Sequence, residues 1–184
     1  RGPAPVAARM RRPAGPRAAE TLGVKQRTHQ DLPDNARDSV PLLDLVQAVE
    51  SITLAFRPQV VYTHHAGDLN VDHARTHWAV LTACRPTAGD PLELLAACEV
   101  LSSTEWAGAA PAVAFTPRLY VDISGVEAQK MRALACYAEE MRAYPHPRSH
   151  EAVRALAAYR GSTAGYSAAE AFDVVRMRSD AAPQ

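Results

Sequence analysis

The sequence predicts an α/β fold, a Rossmann-like layered domain with a mostly parallel sheet. Two observations lead to this prediction. Short apolar runs with strand character alternate with longer segments whose apolar residues recur at helical spacing. Clusters of Gly, Pro, Asp and Asn separate these segments, as turns require. At 184 residues the chain has the length of one domain with a substantial core.

The first 16 residues are rich in arginine, proline and alanine. This composition buries little apolar surface, so we expect residues 1–16 to be a disordered arm and residues 17–184 to form the domain. A polybasic contact surface is the alternative interpretation. The next segment, 17–22, predicts a short helix that Gly23 would end.

Helices and strands then alternate along the chain. A helix with Pro41 in its first turn is predicted from the spacing of its apolar residues, and Asp38 or Ser39 would cap it. A buried strand at 59–63 precedes a helix that Asp72 would cap and that runs to about Ala83. The later predicted elements are strands at 94–100, 118–123 and 171–177, and helices from Ser124 to about Tyr144 and at 149–159, the latter ended by Gly161.

Composition argues against several classes of function. Twenty basic and twenty acidic residues cancel, so charge gives no reason to expect nucleic acid or an anionic membrane as a partner. The three cysteines are far apart and form no C-x-x-C pair, which argues against a disulfide framework and a cysteine zinc site and favours a reducing, cytoplasmic setting. No apolar run approaches about 18 residues, so no membrane span is predicted.

The densest chemistry lies in residues 62–73. This segment connects a predicted strand to a predicted helix and contains three histidines and two aspartates. Open α/β folds bind ligands at the carboxyl ends of their strands. Imidazole and carboxylate groups are zinc ligands, and a catalytic zinc lowers the pKa of its bound water towards 7. His73, near the start of the helix, is the candidate metal ligand.

Spacing alone leaves alternatives open at this segment. His73 and His77 lie one helical turn apart and could form an i, i+4 pair, but no glutamate lies between them as H-E-x-x-H requires. The other interpretation is a polar loop whose histidines cap the helix or hydrogen-bond one another.

Residues 63–73 resemble the second metal motif of the LmbE-like, or PIG-L, family of zinc-dependent N-acetylglucosamine deacetylases. Other segments resemble a bacterial branch of the family in the same order, over about residues 17–178. These segments are 31–35, 81–86, 102–106, 144–149, 160–162 and 169–172. The resemblance implies a hydrolase that removes the N-acetyl group of an N-acetylglucosamine-like sugar or glycoconjugate through a metal-bound water.

The resemblance also implies roles for individual residues. His73 matches the zinc ligand of the family's D-H pair, and Asp72 matches the aspartate that orients it. Asn70 lies where many relatives have an oxyanion-stabilising histidine, so that role would weaken or move to His64 or His65. The expected catalytic residues are therefore Asn70, Asp72, His64 and His65.

A substrate-binding surface is implied in the same way. Glu105 and Trp106 would line a sugar pocket by hydrogen bonding and stacking. His146 and Arg148 would face the substrate from a proline-flanked turn. A structural role in a helix cap is the alternative for the latter pair.

The family's early A-H-P-D-D-E motif, with two zinc ligands and the general base, does not occur in the sequence. We therefore expect an N-terminally truncated domain that binds Zn²⁺ weakly or not at all and is inactive as the isolated chain. An exposed sheet edge would favour self-association. The alternatives are a non-catalytic remnant, or sugar- or protein-binding module, of the same fold, and an enzyme whose missing ligands come from another chain.

Overall fold

The computed structural model describes residues 6–108 and 114–179. The described strands form a sheet in the order β1-β2-β4-β3. The elements in chain order are α1 (Val6–Leu22), a 3-10 helix (Arg37–Ser39), α2 (Leu42–Phe56), β1 (Val60–His64), α3 (Val71–Ala83), β2 (Leu94–Cys98), β3 (Leu119–Asp122), α4 (Glu127–Ala135), α5 (His150–Ala164) and β4 (Ala169–Met177).

The chain divides into two compact units. The first contains the described residues up to 34 together with 120–170, and the second contains those of 35–119 and from 171 onward. In the second unit, α2 and α3 pack against each other and α3 packs against β1. Leu95 of β2 is fully buried in this core. The core residues are Val80, Cys84, Leu92 and Leu95, with Val49, Val61 and Leu81 packed against them.

The α/β class is confirmed, but the described sheet is mixed rather than mostly parallel. β1 runs parallel to β2, with His64 opposite Cys98. β4 runs antiparallel to β2, with Asp173 opposite Ala97. A buried strand has the same apolar pattern in either direction, so the sequence carried no signal for the antiparallel pairing.

The first unit differs from the sequence prediction at its N-terminal end. Helix α1 begins at Val6 instead of residue 17 and contains Pro13 and Pro16. The expected arm at residues 1–16 stays a prediction, and residues 1–5 lie outside the described part of the chain. Ala14 and Ala18, one helical turn apart, are both buried, so small side chains give this helix a packed face.

Helix α4 is shorter than predicted. It begins at Glu127 and ends at Ala135 rather than near Tyr144. The predicted capping box does not form: the N-cap is Val126, and the Ser124 hydroxyl donates to the Asp122 carboxylate at 2.6 Å and accepts from Ala168 N at 3.3 Å instead of from a helix N–H. Among the described helices, none combines the length and the apolar character that a bilayer crossing requires.

Helix α5 is capped by Ser149, whose Oγ accepts a hydrogen bond from Ala152 N at 3.0 Å. The helix continues past the predicted stop at Gly161 and ends at Ala164, where Gly165, with a φ of +83°, is the C-cap. Gly161 does not end the helix but allows the following chain to approach it closely. A Cβ at this position would lie 2.7 Å from Tyr166 O and 2.8 Å from Ala168 N, so only glycine lets the following chain pass this close to the helix.

We expect Gly161→Ala to lower the free energy of unfolding by about 1 to 3 kcal/mol, because the new methyl group meets backbone atoms that cannot rotate away. The usual gain in helix propensity from glycine to alanine would be outweighed. Chemical denaturation measures the change. Ser162→Ala, an exposed position in the same helix, is the control and should stay within about 0.5 kcal/mol of the wild type. A more stable Gly161→Ala variant would contradict the packing described above.

Candidate functional site

The loop 65–70 connects the carboxyl end of β1 to the start of α3 and lies in the second unit. Its own polar groups fix its path. Asn70 is the N-cap of α3, and its Oδ1 accepts a hydrogen bond from Asp72 N at 2.8 Å. Asn70 N in turn donates to Asp68 Oδ1 at 2.9 Å. The predicted cap, Asp72, therefore lies within the first turn of the helix, and Asn70 takes its place.

Asp68 is the central residue of this loop, and its side chain is fully buried. Its Oδ1 accepts a hydrogen bond from Ser103 Oγ as well as from Asn70 N, and its Oδ2 accepts one from Thr104 Oγ1 at 2.9 Å. Burial raises the pKa of Asp68, but the contacts with His73, Ser103, Asn70 and Thr104 outweigh this effect and lower the pKa to about 2. The carboxylate is therefore ionised at neutral pH.

His73 lies beside this carboxylate. Its Nδ1 is 3.1 Å from Asp68 Oδ1, and its side chain is 18% exposed. The distance is that of an ion pair, although the ring nitrogen is not aligned for a hydrogen bond with the carboxylate. Metal-binding histidines commonly place a carboxylate at one ring nitrogen and bind the metal with the other. Nε2 is therefore the candidate ligand atom of His73.

His64 stacks on His73, with ring centroids 4.1 Å apart and an interplanar angle of 14°. Burial and the neighbouring His73 lower the pKa of His64 to about 4, so its imidazole is neutral at pH 7. A ligating nitrogen directs its lone pair in the plane of the ring and binds zinc at about 2 Å. Two nearly parallel rings at this separation cannot both bind one ion, so His64 is not a second ligand in this arrangement.

The carboxylate next to His73 belongs to Asp68 and not, as expected, to Asp72. Asp72 accepts hydrogen bonds from Asn35 N at 2.7 Å and Arg37 N at 2.9 Å, which attach the segment before α2 to the start of α3. The physical reason is helix geometry. Adjacent residues of a helix project about 100° apart, so the side chains of Asp72 and His73 leave α3 in different directions.

The two remaining residues expected near the reacting group also make structural contacts. Asn70 Nδ2 lies 3.5 Å from Asn35 Oδ1, while the side-chain Oδ1 of Asn70 caps α3. His65 is buried, with its ring edge against Phe115 and its Nδ1 3.9 Å from Asp173 Oδ2. Successive residues of an extended chain point to opposite sides, which accounts for the different surroundings of His65 and its neighbour His64.

His77 connects α3 to the end of β1. Its Nδ1 lies 2.8 Å from His64 O, so this nitrogen carries the hydrogen and donates it to the carbonyl. Burial lowers the pKa of His77. His77 is therefore a buried histidine that hydrogen-bonds to the backbone.

The turn 102–106 borders the loop, and its glutamate faces its own backbone. Glu105 Oε1 accepts a hydrogen bond from Ser102 N at 2.5 Å, and its Oε2 accepts one from Ser103 N at 3.3 Å. Both carboxylate oxygens of Glu105 thus have hydrogen-bond donors within the turn, and its expected contact with a sugar stays a prediction. Trp106 is 52% exposed, which leaves much of its ring surface to solvent.

His146 and Arg148 lie in the first unit, in the turn before α5. His146 Nδ1 accepts a hydrogen bond from Arg148 N at 3.0 Å. Arg148 Nη1 is 3.8 Å from Glu140 Oε2. These contacts order the turn that leads to the cap of α5, and a role of either residue towards substrate stays a prediction.

The described residues fit one ligand of a zinc ion but not a complete site. No group of three or more His, Cys, Asp or Glu side chains among them is arranged to hold a metal. His73 with Asp68 has the form of one ligand with its supporting carboxylate. A catalytic zinc needs about three protein ligands. No chemical step through a metal can therefore be derived from these side chains.

The sequence prediction missed residues that turn out to hold the site together. They are Asn35, Arg37, Asp68, Ser103 and Thr104. All but Arg37 lie in segments that carried the family resemblance, but no local pattern indicates that an aspartate in one segment accepts hydrogen bonds from hydroxyl groups 35 and 36 positions away.

Comparison with known proteins gives one family match. Residues 4–84 match the family model described as PIG-L: GlcNAc-PI de-N-acetylase. This match covers 81 of the 184 residues, and the chain shares its fold with the solved structures described below, so both comparisons agree with the resemblance found in the sequence. No curated protein matches the sequence significantly.

The following three are among the solved structures that share the fold. A conserved protein from Thermus thermophilus has a TM-score of 0.68 and 24% identity over 94% of this chain and 76% of its own. An N,N'-diacetylchitobiose deacetylase from Pyrococcus horikoshii has a TM-score of 0.69 and 16% identity over 92% and 64%. The hydratase GalB, which acts on 4-carboxy-2-hydroxymuconate, from Pseudomonas putida has a TM-score of 0.64 and 19% identity over 96% and 75%. The chain thus spans about three quarters of two of these proteins and less than two thirds of the deacetylase.

The lowered pKa of His64 predicts a pH-dependent stability. The unfolded chain binds a proton near the ordinary pKa of 6.5, and the folded chain only near 4. The stability contributed by the neutral ring is therefore complete above about pH 6.5 and is lost as the pH falls to about 4. Between about pH 6.5 and pH 4, we expect the free energy of unfolding to fall by roughly 2 to 3 kcal/mol less in His64→Phe than in the wild type, because phenylalanine keeps a stacking ring but does not titrate.

Denaturation of both proteins between pH 4 and pH 7 measures this difference. His29→Phe is the control, because His29 is an exposed histidine outside the site. If the wild type and His64→Phe lose stability equally over this range, the ring of His64 does not carry the effect.

Proposed function

We propose that this chain carries the part of a metal-dependent hydrolase of the PIG-L/LmbE type in which His73 is a metal ligand. The proposed reaction removes the acetyl group from the nitrogen of an N-acetylglucosamine-like sugar or glycoconjugate. One observation supports this most: at the carboxyl end of β1, the buried carboxylate of Asp68 lies 3.1 Å from the ring nitrogen of His73. Open α/β folds bind their ligands at this end of a strand.

The other site residues receive proposed roles that follow from their contacts. His64 is neutral at pH 7 and keeps one ring N–H, so it is the proposed donor to a developing oxyanion. Trp106 is the proposed stacking surface for a sugar, since its side chain is half exposed. Asp72 and Asn70 are proposed to hold the frame of the loop through their backbone contacts.

We propose that the isolated chain hydrolyses little or no substrate. Activation of water by zinc requires several ligands, and the described residues supply one ligand position. A non-catalytic sugar- or protein-binding module of the same fold is therefore the second candidate. An enzyme whose remaining ligands come from another polypeptide is a variant of the first candidate.

The proposed partners follow from the surface. The formal net charge of zero supports neither nucleic acid nor an anionic membrane as a partner. β1 lies at the edge of the described sheet, and Val60 and Tyr62 on it are 45% and 49% exposed. This edge supports self-association. A cytoplasmic location stays a proposal that rests on cysteines that form no disulfide with one another.

Zinc binding tests the ligand assignment. We expect the wild type to bind one zinc ion weakly and His73→Ala to bind none, because the only proposed ligand is removed. Isothermal titration calorimetry with zinc chloride measures both. His29→Ala, which removes an exposed histidine from the first unit, is the matched control and should bind like the wild type. Zinc binding that persists in His73→Ala would overturn the assignment, and no binding by the wild type would favour the non-catalytic module.

Acetate release tests the proposed lack of activity. With N,N'-diacetylchitobiose or N-acetylglucosamine as substrate and zinc in excess, we expect acetate release by purified residues 1–184 to equal the buffer background. An enzyme-coupled acetate assay provides the measurement. Substantial zinc-dependent release that disappears in His73→Ala would show that the chain itself completes a catalytic site.

A further inference from the structure

The position of the His73 ring depends on a turn that is distant in sequence. Asp68 touches His73, but Asp68 is itself held by Ser103 and Thr104. Thr104 Oγ1 donates to Asp68 Oδ2 and accepts a hydrogen bond from Val100 N at 2.8 Å. The same hydroxyl group therefore closes the turn and holds the carboxylate.

Ser103 makes a second connection between the turn and the loop. Its Oγ donates to Asp68 Oδ1 and lies 3.2 Å from Asn70 N, and its carbonyl oxygen accepts a hydrogen bond from Leu69 N at 3.4 Å. Ser103 is 4% exposed, so water cannot replace these bonds. The loop and the turn are thus fastened at three successive residues of the loop, 68 to 70.

Glu105 fixes the turn from its outer side. Its two carboxylate oxygens accept the N–H groups of Ser102 and Ser103. Ser102 has a φ of +65°, a conformation that a serine rarely adopts without support from its surroundings. The glutamate therefore stabilises the backbone that aims the Ser103 and Thr104 hydroxyl groups at Asp68.

We propose that Thr104 and Glu105 are positioning residues for His73. Glu105 stabilises the turn that carries the Ser103 and Thr104 hydroxyl groups, these hydroxyl groups hold Asp68, and Asp68 contacts the imidazole. Neither residue touches the proposed ligand atom. Each sets the direction in which the ring presents Nε2. The significance of this direction for metal binding rests on the function proposed above, whereas the contact series itself does not.

Thr104 offers a sharp test, because valine has nearly its shape without the hydroxyl group. We expect Thr104→Val to shift the His73 Cε1–Hε1 resonance in a two-dimensional NMR spectrum, where His73→Ala identifies that signal. Thr104→Ser keeps the hydroxyl group and should restore the wild-type position. Zinc affinity should fall about 10- to 100-fold in Thr104→Val and stay within about threefold in Thr104→Ser.

Glu105→Gln is the second variant, in case Thr104→Val fails to fold. It keeps one acceptor oxygen, so the resonance should move in the same direction by less. Glu50→Ala, which removes a glutamate of α2 that pairs with Arg85, is the matched control and should leave the resonance in place.

The two readouts separate the two proposals. An unchanged His73 resonance in Thr104→Val and Glu105→Gln would overturn the positioning role, whatever the zinc affinity. A shift that Thr104→Ser does not reverse would also overturn it. If Thr104→Val shifts the resonance and Thr104→Ser restores it, but the wild type binds no zinc, the positioning role is upheld and the result counts against the proposed function alone.

Discussion

The site depends on the burial of one charge, the carboxylate of Asp68. A buried carboxylate is costly unless hydrogen bonds replace those it made to water. Here the donors come from Ser103, Thr104 and Asn70, with His73 beside them. The low pKa of Asp68 shows that these contacts outweigh its burial. Because the donors come from two segments, the carboxylate connects the loop to the turn.

Asp68 and Asp72 have different roles because the backbone directs their side chains differently. Asp68 lies before the helix and turns towards the end of β1, where it meets His73. Asp72 lies in the first turn of α3 and accepts the N–H groups of Asn35 and Arg37. Chemical identity made both plausible partners of His73, and only the geometry of the helix start separates them.

The sequence predicted the α/β class, most of the element order and the importance of residues 62–73, because these follow from local periodicity and composition. It did not predict the start of α1 at Val6, the antiparallel β4 or the role of Asp68. These features depend on packing and on contacts between segments far apart in the chain. Such contacts leave no local pattern, as the pairing of Thr104 with Asp68 illustrates.

Protein groups hold the residues around His73. The Asp68 oxygens, the Asn70 cap and the Asp72 carboxylate all have partners within the chain. Small zinc domains differ, because there the binding of the metal supplies the free energy of folding. In this chain, hydrogen bonds between the loop and the turn hold the loop in place. A metal, wherever its other ligands come from, would therefore meet an imidazole already held in place, and its binding free energy would not be spent on ordering the loop.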